Sequence, residues 1–499
     1  MKDANANGKS RSAEIRSRLS HPIIDADGHC AEFEPLFLDF IREVGGDRIV
    51  ERYKKDPDAS LAYRWHRMSP ADRKAFRTTR PNWWAHPALN TLDRATSSLP
   101  RLLYDRLDEF GLDFVIVYPS LNLRSAHITD EEVRRAACRA FNHYQTDVFA
   151  GLGDRLTPVA TIPMHTPAEA LEELDYAVGT LGMKAIVMPS FVRRPIPAFA
   201  EQAAVAGRNL TWLDTYGIDS EYDYDPVWQR CIELKVAPSF HSSGTGFSTR
   251  NSISNQTYNH IGHFASADEA ICKSLFIGGV TRRFPPLKFA FQEGGAGWAR
   301  ILYGDLIGHW KLRNRKAVET RNPAHLDRKL FAELASQYGG DRFASRFPVR
   351  DEEISELQWG SREREEDLDE WAACAIERPE DVRDLFVPSF FFGCEGDDTM
   401  TPIAFDTRRN PLGAELNVIY GSDLGHFDLP DMRDAAVEAW ELVEDGMIDE
   451  AQFRRFVMEN PIRLHGAMNP DFFKGTVVER EAAAVIGGLA ASAAPEAGR

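Results

Sequence analysis

HPIIDADGH, residues 21–29, opens as an apolar run, turns acidic and ends on an imidazole. Pro22, Ile23 and Ile24 read as a strand covered on both faces, and the polar residues after them as its carboxyl end. Seven further runs follow the same plan: DFVIVYPS (113–120), LTPVATIPM (156–164), MKAIVMPS (183–190), VAPSFHSS (236–243), LKFAFQEGG (287–295), SFFFGCEGDD (389–398) and NVIYGSDLGHFD (417–428). Near-continuous apolar character suits parallel strands, and the alternation of strands with helical patterns implies right-handed crossovers. The reading is therefore α/β, a (β/α)8 TIM barrel over residues 21–475.

Helix signals fall between the runs. Thr166, Pro167 and Glu169 supply an N-cap, a first-turn proline and a capping-box acid, and Gly182 a stop. Thr129 and Glu132 open a helix whose Val133, Ala136, Ala137, Ala140, Phe141 and Tyr144 form one apolar stripe. Asp225 and Pro226 start another. Two intervals exceed ordinary barrel connections, 30–112 after the first strand and 296–388 after the sixth, and both read as long helical insertions. The first holds Trp65, Trp83, Trp84 and His86, which suit a lid or an accessory helix equally. The second holds REREEDLDE (362–370), the pattern of a solvated helix face. Residues 1–20 and 476–499 have no packing face of their own and are expected to be flexible ends.

The hydrophobic fraction, 43%, supplies a large core and excludes a disordered chain. A net charge of -17 argues against phosphate-neutralising contact with nucleic acid and against an anionic membrane surface. No apolar run reaches the roughly 18 residues of a membrane span. The first twenty residues lack the apolar centre of a secretory signal, so a cytoplasmic location is expected. Six scattered cysteines form no CxxC pair and read as reduced thiols, Cys30 and Cys394 beside the candidate site included.

In such a barrel the carboxyl ends of the strands converge on one mouth, so polar residues that end apolar strands are the chemical candidates. They are Asp25, Asp27, His29 and Glu32 at the first strand, His241 at the fifth and Glu293 at the sixth. Glu395 and Asp397 end the seventh strand, and Asp423 and His426 the eighth. Strand alternation sets Asp27 and His29 on one side, able to chelate one ion, with Asp25 deeper on the same side. Each has an ordinary alternative, a hydrogen-bonded core histidine or a helix N-cap. Together, mixed oxygen and imidazole donors suit zinc, manganese or iron. Asn122, His143, Asn255, His260 and His263 read as surface or core residues.

HPIIDADGHCAE, DPVWQRCIELKVAPSFHSSG, RFPPLKFAFQEGGAGW and NVIYGSDLGHFD resemble successive signatures of the amidohydrolase-related family. They are similar to the branch holding aminocarboxymuconate-semialdehyde decarboxylase, resorcylate decarboxylase and various metal-dependent hydrolases. The resemblance spans about residues 21–470. It implies a divalent metal, zinc first with manganese or iron as alternatives, held by Asp27 and His29 in the HxH positions, by His241 and by Asp423. Asp27 departs from HxH toward the acidic-x-His form of some decarboxylases. Glu293 stands before a glycine pair where many members carry a catalytic histidine. It is expected to act as general base alongside catalytic Asp423, or as a further ligand that supports a second ion with Glu32. His426, in SDLGH for SDxPH, is expected to orient a ligand or substrate from behind. The resulting expectation is a metal-dependent hydrolase, commonly homodimeric, acting on a small carbonyl substrate, with Arg94 or Arg300 for an anionic group. Nonoxidative decarboxylation of an aromatic or enol-type acid is the alternative, and a non-catalytic binding barrel a distant one.

Overall fold

The computed structural model describes residues 9–56, 59, 65–81, 88–201, 210–242, 250–322, 325–349 and 368–493. Among these, the strands in chain order are β1 (Ile24–His29), β2 (Phe114–Tyr118), β3 (Leu156–Thr161), β4 (Ala185–Met188), β5 (Val192–Pro195), β6 (Thr211–Asp214), β7 (Pro238–Phe240), β8 (Phe289–Phe291), β9 (Phe390–Glu395) and β10 (Asn417–Gly421). All but β5 and β6 form one sheet in the order β1-β2-β3-β4-β7-β8-β9-β10, every neighbour parallel. Each of the eight apolar runs thus contributes one barrel strand. β5 and β6, an antiparallel hairpin, fall outside the runs: Arg193, Arg194 and Pro195 hide the first from a search for apolar stretches.

The barrel closes between β10 and β1 without a strand ladder. The Asp423 amide donates to the Asp27 carbonyl (3.1 Å) and the His29 amide to the Leu424 carbonyl (2.6 Å). Below them the Asp25 carboxylate accepts from the Ser422 amide (3.0 Å) and hydroxyl. β1 slips by one residue against β2 between Asp25 and Gly28. This bulge breaks the strict alternation that had set Asp25 in line with Asp27. Asp25 turns to Ser422 and to the Asp27 amide (3.1 Å) instead. Gly28 belongs to the same turn, since a Cβ there would lie 2.7 Å from Asp25 Oδ2.

The helices that matter below are α1 (Arg11–Arg18), α2 (Glu34–Lys55), α3 (Pro100–Phe110), α4 (Glu131–Val148), α5 (Pro167–Leu174), α6 (Asp225–Leu234), α7 (His263–Ile277), α8 (Gly297–Arg313), α9 (Pro379–Phe386), α10 (Ala435–Glu444), α11 (Asn460–Met468) and α12 (Glu479–Ala493). α5 starts as its sequence predicts, with Thr166 accepting from the Glu169 amide (3.2 Å). The Glu169 carboxylate does not return to Thr166. It forms a two-pronged buried pair with Arg134 of α4 (2.6 and 2.9 Å). α4 is capped by Asp130 rather than Thr129 (Oδ1 to the Val133 amide, 3.2 Å). Its predicted stripe packs on Phe37, Ile41, Ile49, Val50 and Tyr53, all of them buried residues of α2, so the start of the first insertion has its own small core.

Two terminal segments expected to be flexible contain docked helices. Ser10 caps α1 through the Ala13 amide (3.1 Å), Ser12 donates to the Arg433 carbonyl (2.6 Å), and Ile15 is buried. α12 meets α11 where Gly466 leaves room for Ile486, a Cβ there lying 2.7 Å from Ile486 Cδ1. α1 is short of apolar residues and docks largely through these hydrogen bonds, whereas α12 docks with Ala482, Val485 and Ile486 against the main core. In the first insertion Trp65 is buried, its indole donating to the Ile253 carbonyl (3.1 Å) with Arg73 stacked over it. That is the accessory-packing alternative; Trp83, Trp84, His86 and residues 362–367 of the acidic run lie outside the described residues. No described helix is long and apolar enough to cross a membrane.

Candidate metal centre

Asp27, His29, His241, Glu293, Asp423 and His426 meet at the carboxyl ends of β1, β7, β8 and β10. One ligand atom from each of Asp27, His29 and His241 lies within 4.8 Å of the others, as do those of His29, Glu293, Asp423 and His426; His29 belongs to both groups. His29 Nε2 is 3.4 Å from Asp423 Oδ1, 3.5 Å from Asp27 Oδ1 and 3.8 Å from Glu293 Oε1. His241 Nε2 is 3.7 Å from Glu293 Oε2 and 3.9 Å from Asp27 Oδ1.

The backbone aims these groups. His29 Nδ1 faces the Pro119 carbonyl (3.1 Å) and His241 Nδ1 the Ser242 carbonyl (2.7 Å). A carbonyl accepts only from N–H, so each ring carries its proton on Nδ1 and turns an Nε2 lone pair inward, the tautomer a metal ligand needs. Glu293 and Asp423 adopt left-handed backbone conformations, φ 58° and 48°. Non-glycine residues with positive φ are uncommon and gather at functional sites. After Glu293 the two glycines are required sterically. A Cβ on Gly294 would lie 2.6 Å from Asp268 Oδ2 and from Trp298 Nε1, and Gly295 has φ 72° with Asp398 Oδ2 at 2.7 Å.

Donor atoms face one another here without hydrogen-bond partners: both carboxylate oxygens of Asp27, Nε2 of His29 and of His241, Oε2 of Glu293 and Oδ2 of Asp423. Buried polar atoms are ordinarily satisfied, and a cluster of unsatisfied acceptors has one economical partner, a cation. Burial pushes the Asp27 and Asp423 carboxyls well above the usual range, and the Glu293 charge adds to it. Burial holds His29 and His241 below theirs, hence neutral. Burial also presses Glu293 upward, while its hydrogen bond with His426 pulls the other way, and of the three acids this one is held low. The residues fit a divalent ion with mixed nitrogen and oxygen donors.

His426 stacks on His29 with ring centroids 3.9 Å apart. It holds Nδ1 2.7 Å from Asp423 Oδ1 and Nε2 2.9 Å from Ser120 Oγ. It bridges an acid of the cluster to the loop after β2. Glu32 stands apart. Its carboxylate accepts from the amides of Leu121 (2.8 Å), Ser120 (3.2 Å) and Asn122 (3.4 Å), which fixes that same loop and leaves it no place in the cluster. The second-ion reading with Glu32 is therefore corrected.

Other candidates disperse. Glu395 ends β9 with Asp397 beyond it, both outside the ligand groups. Asn122 accepts from Ser125, His143 stacks on Tyr176, Asn255 caps a short helix through the Tyr258 amide (2.9 Å), and His260 lies between Phe264 and Phe427. Arg300 donates to the Arg409 carbonyl (2.9 Å). All six cysteines are free and buried. Two residues beside the cluster went unassigned from the sequence. His263 is buried with neither ring nitrogen partnered, and Asp268 is buried with Oδ2 unpartnered. Asp268 carried a legible signal: it takes a core position of α7, in line with Phe264, Ile271 and Leu275.

Several solved structures are similar to this chain. An amidohydrolase from Mycobacterium avium subsp. paratuberculosis K-10 is similar at 18% identity, covering 90% of this chain and 98% of that one, TM-score 0.48. A dihydroxybenzoic acid decarboxylase from Polaromonas sp. JS666, with bound manganese and 2-nitroresorcinol, is similar at 15% identity over 89% and 97%, TM-score 0.45. 5-Carboxyvanillate decarboxylase from Sphingomonas paucimobilis is similar at 13% over 89% and 99%, TM-score 0.47. A family model described as amidohydrolase matches residues 74–386, well over half of the chain. His241 and Glu293 lie inside that span, with Asp27, His29 and Asp423 on the flanking strands that complete the centre. The chain belongs to the amidohydrolase family.

Proposed function

We propose that this chain is a metal-dependent hydrolase acting on a small, uncharged carbonyl compound, aromatic substrates included. The observation that carries the reading is the set of buried, unpartnered donors on Asp27, His29, His241, Asp423 and Glu293. Asp27, His29, His241 and Asp423 would hold the ion, with zinc the first expectation for two imidazoles and two carboxylates. A divalent ion in such a set supplies Lewis acidity, lowering the pKa of water and polarising a carbonyl.

The chain's own residues account for the rest. Glu293, held low with His426 as its hydrogen-bond partner, keeps Oε2 free to accept a proton from water. His426 orients Asp423 and, through Ser120, ties it to the loop after β2. Three carboxylates outweigh the charge of one dication. The centre is thus poorly suited to a carboxylate substrate, which favours hydrolysis of a neutral carbonyl over decarboxylation.

The test is metal content by mass spectrometry on protein purified without metal-affinity resin, followed by ester, lactone and amide turnover in 18O-labelled water. The expected result is about one ion per chain, lost in Asp423→Ala, with label appearing in the acid product. Metal retained in Asp423→Ala overturns the ligand set. Carbon dioxide release from hydroxybenzoates without label incorporation replaces the hydrolase reading with the decarboxylase one.

A further inference from the structure

At the end of the barrel opposite the mouth, the amino-terminal ends of β9 and β10 and the elements beside them enclose a cavity of about 330 Å3. Its place follows from its lining: Val387 stands just before β9, and Leu416 and Asn417 lead into β10, whereas the metal ligands lie at the other ends of the strands. The volume is at the lower end of small-molecule sites, which begin at roughly 300 Å3. Three guanidiniums reach it, Arg383 from α9, Arg455 and, from α11, Arg463, against one lining acid, Glu415.

Arg383 is satisfied by Asp384 at 2.8 Å. The other two are only loosely paired. Their side chains are 27% and 37% exposed, but Nε of Arg455 and Nε of Arg463 are buried without hydrogen-bond partners. The carboxylates near these side chains stand off, Glu415 Oε2 at 3.6 Å from Arg455 Nε and Glu459 Oε2 at 3.9 Å from Arg463 Nη2. A buried guanidinium N–H left unpaired is costly, and the guanidinium fork matches an oxyanion. Independently, Arg455 opens a π-helical turn, Arg455–Glu459, between a short helix and α11. Such turns break the regular helix ladder and recur at functional sites. The remaining wall is apolar, with Val387, Phe405 and Leu416, and the Arg455 guanidinium lies 5.4 Å from the Phe405 ring centre.

We infer that this cavity is a second ligand site, binding a small organic acid whose carboxylate sits between Arg455 and Arg463 and whose apolar body rests on Phe405 and Leu416. The site is separate from the metal centre and does not depend on the reaction performed there. Charge-assisted pairing of both forks holds the anion, and the apolar wall distinguishes an organic acid from a bare inorganic ion.

The test is thermal shift and calorimetry on the full chain with benzoate and with inorganic phosphate at constant ionic strength, chloride as control. Benzoate is expected to raise Tm in the wild type and equally in Asp423→Ala, with phosphate weaker. Arg455→Ala and Arg463→Ala are expected to weaken benzoate about tenfold or more each. Arg463→Lys, which keeps the charge and loses the fork, serves if an alanine variant fails to fold, and is expected to weaken it as well. The inference is overturned if benzoate gives no shift, if both arginine variants bind as the wild type does, or if Asp423→Ala abolishes the effect, which would place the anion at the metal centre. Phosphate binding more tightly than benzoate overturns the apolar-bodied ligand.

Discussion

Glu293 and Asp423 share a backbone conformation that disfavours the side chains they carry, and the site uses that conformation to turn both carboxylates toward His29. Their roles separate on substitution. Asp423→Ala is expected to cost metal affinity by more than the roughly 10- to 100-fold typical of losing a supporting group, measured by competition with a chelating dye. Glu293→Gln keeps the shape and removes the base. It is expected to retain the ion and lower kcat by about 10²- to 10⁴-fold, as measured on whichever ester the substrate panel identifies. Asp27, His29, His241 and Asp423 were legible because each ends an apolar run, where chain direction alone assigns the side chain to the mouth. Asp25 and Glu32 were misplaced for the opposite reason. A one-residue bulge and a loop folding back on a carboxylate leave no periodic trace in the sequence. His263 gave no signal at all, since a histidine after a glycine in a polar loop has many ordinary explanations.

Among the elements, the loop after β2 has three consecutive amides held by one side chain, Glu32. Glu32→Gln halves its acceptor capacity and is expected to lower stability by about 1–3 kcal/mol, read by chemical denaturation, while leaving metal content unchanged. Loss of metal in that variant would return Glu32 to the ligand set. The turn after β10 is equally constrained: Gly425 has φ 107° and a Cβ there would lie 2.4 Å from the His29 carbonyl oxygen. Gly425→Ala is therefore expected to destabilise the fold and to weaken ion binding together, since the displaced carbonyl belongs to His29, one of the proposed ligands. The barrel strands were readable from composition because burial on both faces demands it. β5 and β6 were not, because a hairpin outside the barrel needs no continuous apolar run. α1 and α12 were hidden by short, weakly apolar faces whose docking depends on partners distant in sequence.

At the scale of the whole molecule, several histidines are held neutral by burial, and acid must act on them. His465 is fully buried against Phe472, ring centroids 4.3 Å apart, with its pKa lowered from 6.5 to about 3. Between these values the unfolded chain binds a proton that the folded chain refuses, so stability present above pH 6.5 declines as pH falls toward 3. His465→Leu is expected to flatten that decline, seen as a smaller Tm difference between neutral and mildly acid buffer. A second whole-molecule property comes from the seam between β10 and β1. The amides that close it belong to Asp423 and His29, the same residues whose side chains enter the proposed metal site. The clasp of the barrel and the proposed site are one piece of chain, so an ion bound there would button the cylinder shut. By linkage the ion contributes about 4 kcal/mol to folding at about a thousandfold excess over Kd, and the two seam amides feel it first. Deuterium uptake at Asp423 and His29 becomes a gauge of occupancy that needs no substrate: fast in chelator, slow in metal, while β3 and β4, away from the seam in the strand order, barely register the change.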